Sequence, residues 1–340
     1  MCNITDKFTP LDWLKIDIAN TYGKDKLTWD KRLTWVNERT LDQLWKIIRY
    51  ADEPLLYRKA LIAYRDTLNG QPTGHIMHLD SVNSGHQMMA ILSGCKETAK
   101  QCGLINTGKR PDLYTNTVKL MNKQLSPQLR IKLVKTGEGL KRIHVKDAIM
   151  THNYNSKAVP KRIFNDTQLK VFYNVLSEIT PGAEVAKEVI NSYVEPLSSQ
   201  YIWLGLDRNT VVYNVKDFID ARIEVDELDH STFTQRFEVC MARSNDASLP
   251  ANICHWLDSE VLEEVVLRCD FDITTIHDSY GVHPCNAGAL VKIYREVMAE
   301  LADMDILKNV LFDISGQEAV INKYSSDLSE DILNSSYALS

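Results

Sequence analysis

The chain has 340 residues, 44% hydrophobic and 25% charged, with a formal net charge of −6. Those values exclude a disordered, collagenous or mucin-like chain, and at about 150 residues per domain the length suggests two domains. The start, Met1-Cys2-Asn3-Ile4-Thr5-Asp6-Lys7, holds no apolar run of the secretory kind, and no stretch approaches the roughly 18 apolar residues of a membrane helix.

Along the chain, Leu11 to Tyr64 carries apolar residues every three or four positions and predicts helices. Asn69-Gly70-Gln71-Pro72-Thr73-Gly74 is a turn cluster, followed by a short strand at 75–80 and a helix opening at Ser84-Gly85. Residues 103–135 read as basic and turn-rich around Gly108-Lys109-Arg110-Pro111. Helical pattern returns at about 140–154, at 168–176 and at 183–193, and alternation at 201–204 and 211–215 predicts a hairpin. A helix is expected from about Trp256 to Cys269, then strand, tight turn and strand over 273–284, then a long helix from Ala287 to Ala302. Strands and helices mix without βαβ alternation, so the fold class is α+β. The seven cysteines form no C-x-x-C pair and read as reduced thiols of a cytosolic protein rather than a disulfide frame or zinc site.

Charge is unevenly spread. Residues 101–170 hold fourteen Lys/Arg against four Asp/Glu, whereas residues 217–340 hold eight against twenty-four. A basic segment of this kind suits a polyanion, although most such segments are solvated faces. Two aspartates, Asp80 and Asp278, each end an apolar strand. Most aspartates so placed are turn caps, but two brought together from separate strands repel unless a cation lies between them. Mg²⁺ suits that position, because it takes one or two carboxylates and leaves sites for phosphate and water. Arg142, Lys146, Met150 and Tyr154 recur every four residues, forming one drifting helical stripe with cations at one end and an aromatic at the other. Such a face could hold a triphosphate and stack a base, or be an ordinary exposed basic face. His75 and His78, three apart on a strand, point to opposite faces and make a poor zinc pair.

Taken together these segments resemble the motifs of the single-subunit, bacteriophage and mitochondrial type of DNA-directed RNA polymerase. Asp80-Ser81-Val82-Asn83-Ser84-Gly85 is similar to motif A, Arg142-(x)3-Lys146-(x)7-Tyr154-Asn155-Ser156 to motif B, and His277-Asp278-Ser279-Tyr280-Gly281 to motif C. Trp13 to Lys26, Ala251-Asn252-Ile253-Cys254-His255 and the ending 331–340 add to the likeness, while 157–245 matches only loosely. The resemblance implies a right-hand palm and fingers: a helical palm insertion at 1–70, palm at 71–95, fingers at 96–255, and palm with a C-terminal foot at 256–340. It implies two catalytic Mg²⁺ ions held by Asp80 and Asp278, with the Ser81 carbonyl as a further ligand. Arg142 and Lys146 would hold the triphosphate, Tyr154 and His255 would reach the ribose, and Gly85 would leave the space around the 2′-hydroxyl open. DNA template, RNA product and NTPs are the implied partners, and the cytoplasm of an infected bacterial host the implied location.

The family's long N-terminal region and thumb have no counterpart here, and Met1 looks like a natural start, so a second polypeptide is expected to supply them. Asp147 and Asn155 stand where motif B usually has arginine and glycine, and Tyr280 stands for phenylalanine in motif C. A primase or DNA polymerase on the same palm remains an alternative, as does a decayed polymerase subunit acting as a binding module.

Overall fold

The computed structural model describes residues 3–131, 140–242, 248–319 and 321–340. Met1, and the 132–135 end of the basic stretch, lie outside the described residues. The N-terminal segment is helical as its periodicity predicts: α1 (Pro10–Ala19), α2 (Trp29–Asn37), α3 (Leu41–Lys46) and α4 (Pro54–Leu68). Thr9 starts α1 by accepting the Asp12 N–H at 3.2 Å, and Pro10 occupies the first turn, where no N–H is needed.

Strand β1 (Met77–Asp80) follows the turn cluster and leads into α5 (Ser84–Ser93) and α6 (Lys96–Gln101). The stretch expected to be turn-rich instead contains α7 (Leu113–Gln124) and α8 (Pro127–Ile131). Asp112 caps α7 by accepting the Thr115 N–H at 3.2 Å, a signal the basic composition masked. Then come α9 (Arg142–Asn153), α10 (Ala158–Ile163), α11 (Asp166–Ile179) and α12 (Pro181–Ser192). The expected hairpin is β2 (Gln200–Leu204) with β3 (Thr210–Asn214).

A second, longer ribbon was not foreseen: β4 (Lys216–Val225) paired with β5 (Ser231–Cys240). It is mostly exposed on both strands, so its charged residues broke the alternation that a half-buried strand would show. Helix α13 (Leu249–Arg268) starts well before the expected Trp256, because Pro250 is tolerated in a first turn and does not delay it. The chain ends with β6 (Ile273–Ile276), β7 (Ser279–Val282), α14 (Ala287–Asp303), α15 (Ile306–Ser315) and α16 (Leu328–Leu333).

Three strands make the sheet that matters, in the order β1-β7-β6, both pairings antiparallel. Its inward side chains Met77, Leu79, Tyr280 and Val282 are buried with Met88, Met89 and Leu92 of α5, Leu257 and Val261 of α13, and Leu290, Tyr294 and Met298 of α14. Gly281 in the central strand is required by crowding: a Cβ there would lie 2.6 Å from both His78 and Thr274 of the flanking strands. A second core gathers Leu113, Met121, Val145, Ile149, Phe172 and Leu176, and a third lies within the N-terminal helices around Ile18, Leu44, Tyr57 and Leu61.

The N-terminal segment and the last residues are locked together. Trp29 stacks on Tyr337 at 5.4 Å and 7°, and its indole N–H donates to the Ser336 carbonyl at 2.6 Å. The six described cysteines are all unpaired, in line with reduced thiols. No helix among the described residues is long and apolar enough to cross a membrane. Truncating the buried indole in Trp29→Ala is expected to cost about 3–5 kcal/mol. Trp29→Phe, which keeps an aromatic ring but orphans the Ser336 carbonyl, should cost about 1–3 kcal/mol. Urea unfolding midpoints of the three proteins check this, and a Trp29→Phe midpoint equal to wild type would deny the hydrogen bond its part.

Candidate functional site

The register of the small sheet sets Asp80 opposite Ser279, so the end of β1 meets the β6–β7 turn that carries Asp278. The Ser81 N–H donates to the Asp278 carbonyl at 3.0 Å, which fixes the two segments at that point. His277, the first turn residue, is held at φ +54°, in the left-handed region that a non-glycine residue enters at a cost. From below, the last residues brace the same place. The Ser340 N–H donates to the Asp80 carbonyl at 2.9 Å, and the Val82 N–H to the Ala338 carbonyl at 3.1 Å. Gln87 donates to the Ala338 carbonyl at 2.9 Å and accepts from the Tyr294 hydroxyl at 2.6 Å. The Ser81 hydroxyl lies 2.9 Å from that same hydroxyl.

Electrostatically the two carboxylates repel each other. Burial raises Asp278 above the usual carboxylate range, the charge of Asp80 adds to the rise, and a hydrogen bond from Ser84 opposes it. A third carboxylate, missed in the sequence, is Asp258 on α13, raised to about 6 by burial and by the charge of Asp278. Its signal was a position three residues after His255, on the same helical face once α13 is extended back to Leu249. Among the described residues none of Asp80, Asp258 and Asp278 has an ion-pair partner. Hard carboxylate oxygens with no cationic side chain between them fit Mg²⁺ chemically. They are not drawn into one tight knot, unlike Glu224, Asp226 and His230, whose ligand atoms lie within 4.8 Å of one another. That exposed trio on the β4–β5 ribbon is accounted for by ion pairs from His230, at 2.8 Å to Glu224 and 3.3 Å to Asp226.

The predicted stripe lies on α9, whose opposite face buries Val145, Ala148 and Ile149 in the second core. Lys146 has no ion-pair partner among the described residues, whereas Arg142 is engaged: its Nε is 3.0 Å from Asp112, and its guanidinium lies 4.9 Å over the Tyr114 ring. Tyr154 closes α9, and its ring packs against His255 of α13 at 4.6 Å. Burial pushes the Tyr154 hydroxyl up and His255 down, so both are neutral near pH 7. Asn155 takes φ +61°, the conformation for which glycine would be the ordinary choice, and asparagine is among the few side chains that tolerate it.

A Cβ on Gly85 would meet the side-chain amide nitrogen of Asn153, with the Tyr154 hydroxyl 3.4 Å from the same point. Glycine is needed here for close packing of α5 against α9. His75, the rejected zinc ligand, is buried against Asp17 with its Nε2 2.7 Å from the carboxylate. Cys254, buried and with its thiol pushed up, is no nucleophile.

A family model for DNA-dependent RNA polymerase matches residues 8–202 and 197–331. The chain belongs to that family. The DNA-directed RNA polymerase of Pseudomonas phage phiKMV is 23% identical over 80% of this chain and 40% of its own length. The mitochondrial DNA-directed RNA polymerase 1 of Arabidopsis thaliana is 24% identical over 88% of this chain and 36% of its own. A mitochondrial DNA-directed RNA polymerase of Schizosaccharomyces pombe is 22% identical, over 88% and 31%. The chain thus spans well under half the length of these polymerases, and the residues of all three motif segments fall inside the matched ranges.

The raised Asp258 gives this polymerase-family chain a signed pH dependence. An unfolded aspartate ionises near pH 4, so the unfolded chain loses this proton first and stability falls as pH rises from there through about 6. Asp258→Asn is expected to flatten that fall and to raise the urea midpoint at pH 7. Superimposable stability profiles for wild type and variant between pH 4 and 7 would sink the assignment.

Proposed function

We propose that this chain carries the catalytic centre of a DNA-directed RNA polymerase, adding ribonucleotides to an RNA 3′ end on a DNA template. The observation that carries the reading is the β1–β7 register, which supports a shared role for Asp80 and Asp278 beside Tyr154 and His255. In this reading the sheet with α5, α13 and α14 is the palm, and the second core, with α7, α9 and α11, belongs to the fingers. The 3′-hydroxyl oxygen forms a bond to the α-phosphorus of the NTP, and the bond to the departing pyrophosphate breaks. Asp80 and Asp278 would hold two Mg²⁺ ions, with the Ser81 carbonyl as a further ligand.

When bound, Mg²⁺ supplies charge neutralisation at the attacking and departing oxygens. Lys146 offers its charge to the triphosphate directly. Arg142 does so on exchanging Asp112 for phosphate, a bidentate partner of the same geometry. Tyr154 and His255, both neutral, present a packed wall to the sugar. Positioning and charge stabilisation carry most of the rate in phosphoryl transfer, and this chain's residues supply both.

The basic segment 101–170 would track nucleic-acid phosphates, so binding of template should weaken steeply with salt. Parts of the relatives that these residues do not span would come from further chain or from a second polypeptide, in the cytoplasm of an infected bacterial host.

The test is extension of a labelled RNA primer on a DNA template with Mg²⁺ and NTPs. Wild type should add ribonucleotides; Asp80→Asn and Asp278→Asn should each reduce addition to background while keeping the free energy of unfolding within about 1 kcal/mol of wild type. Substantial extension by either folded variant refutes the metal-holding roles. A chain that prefers dNTPs would instead be a DNA polymerase or primase.

A further inference from the structure

Asn153 is a residue beside the nucleotide wall whose chemistry the polymerase reading leaves unused. It lies in the last turn of α9, only 3% exposed, and its side-chain Oδ1 is sealed from solvent without a hydrogen-bond partner. Among the described residues no hydrogen bond reaches either atom of the amide. Leaving a buried amide oxygen unmet is costly, and an apolar residue of similar size would fill the place more cheaply. The amide is also aimed. It projects from α9 into the volume where a side chain on residue 85 would begin, and the Tyr154 hydroxyl is 3.4 Å from that point. Tyr154 in turn packs on His255, and Cys254 directs its thiol to the Gly85 carbonyl at 3.7 Å. Three elements, α5, α9 and α13, therefore converge around one orphaned amide.

The chemistry of the amide narrows what it would meet. A phosphate calls for the cations at the other end of α9, and a base calls for a flat stacking face. An amide offers one acceptor and two donors, and a sugar hydroxyl is both donor and acceptor. Amide oxygen and nitrogen exchange places by rotation about the last side-chain bond, so either can face the ligand. A hydroxyl would satisfy the group, and a sugar lacking it would leave the orphan in place. Sites built this way reject the analogue strongly, because the buried partner stays unpaired.

We propose that Asn153 is a ribose-specificity residue, its side-chain amide hydrogen-bonding the 2′-hydroxyl of the incoming ribonucleotide beside the Tyr154 hydroxyl. The proposal rests on the polymerase reading above and deepens it. Gly85 acquires a second purpose, since its missing side chain is what admits the amide.

Single-nucleotide addition to the RNA primer, measured with NTP and with dNTP, tests this on wild type, Asn153→Leu and the smaller Asn153→Ser. Removing the amide in Asn153→Leu should lower the NTP-to-dNTP selectivity in kcat/KM by about tenfold or more, through a raised KM for NTP. Asn153→Ser, which keeps a short hydrogen-bonding group and adds no bulk, should fall between leucine and wild type. Thermal unfolding identifies any variant that has not folded, and the serine variant then carries the test. Equal losses with NTP and dNTP would reduce Asn153 to packing and overturn the proposal while leaving the polymerase reading intact. A wild type that adds neither nucleotide would overturn both.

Discussion

The antiparallel pairing of β1 with β7 is the constraint on which the rest depends. It joins residues 77–80 to residues 279–282, across some two hundred intervening positions that must leave the sheet and return to it. A shift of one residue in that pairing would turn Leu79 and Tyr280 out of the core and move both aspartates to other faces. Register is therefore held from several sides: by the Ser81-to-Asp278 backbone bond, by Gly281 wedged between His78 and Thr274, and by residues 338–340 bonded along the Asp80–Val82 backbone. The cost of closing so long a loop is met by the apolar surface of α5, α13 and α14 packed behind the sheet.

Charge is distributed to the same end. Asp80, Asp258 and Asp278 have no ion-pair partner among the described residues, and burial, with the charge of Asp278 on Asp258 and of Asp80 on Asp278, raises the pKa of Asp258 and of Asp278. Cations are kept on α9 and its neighbours, with Arg142 occupied by Asp112. The far end of α9 is tied to α12 by a buried triad: His152 Nε2 lies 3.0 Å from Glu184, and Lys187 donates to Glu184 at 2.9 Å and to the His152 carbonyl at 3.3 Å. Burial alone would raise Glu184, but the His152 hydrogen bond and the Lys187 charge bring it down to about 2, so its carboxylate stays ionised at neutral pH. A lysine at a helix C-terminus also complements the helix dipole. Tyr154, two residues on, inherits its position from this anchorage.

The motif departures acquire physical meaning in this setting. Asn155 replaces glycine yet keeps the left-handed backbone that a glycine would supply, and its amide bonds Asn191 at 2.9 Å, which offsets the strain. Asp147 is exposed on α9, away from the buried face, so its charge adjoins Lys146 without entering the core.

Local signals carried much of the outline. Apolar periodicity marked the N-terminal helices, α9 and α14; alternation and turn residues marked β1, the β2–β3 hairpin and the β6–β7 turn; the order of Asp80, Arg142, Lys146, Tyr154 and Asp278 carried the family. These are short-range properties, set by the 3.6 and 2 residue periods and by turn chemistry, and need no partner in space. The misses share the opposite cause. The early start of α13, the helices inside the basic stretch and the exposed β4–β5 ribbon depended on neighbours or on their absence. Above all, that Asp258 comes within the field of Asp278, that Asp112 holds Arg142, and that Asn153 lies beside Gly85 were decided only by tertiary structure. Each is a meeting of side chains from distant segments, and long-range proximity is created by packing, which no local pattern encodes.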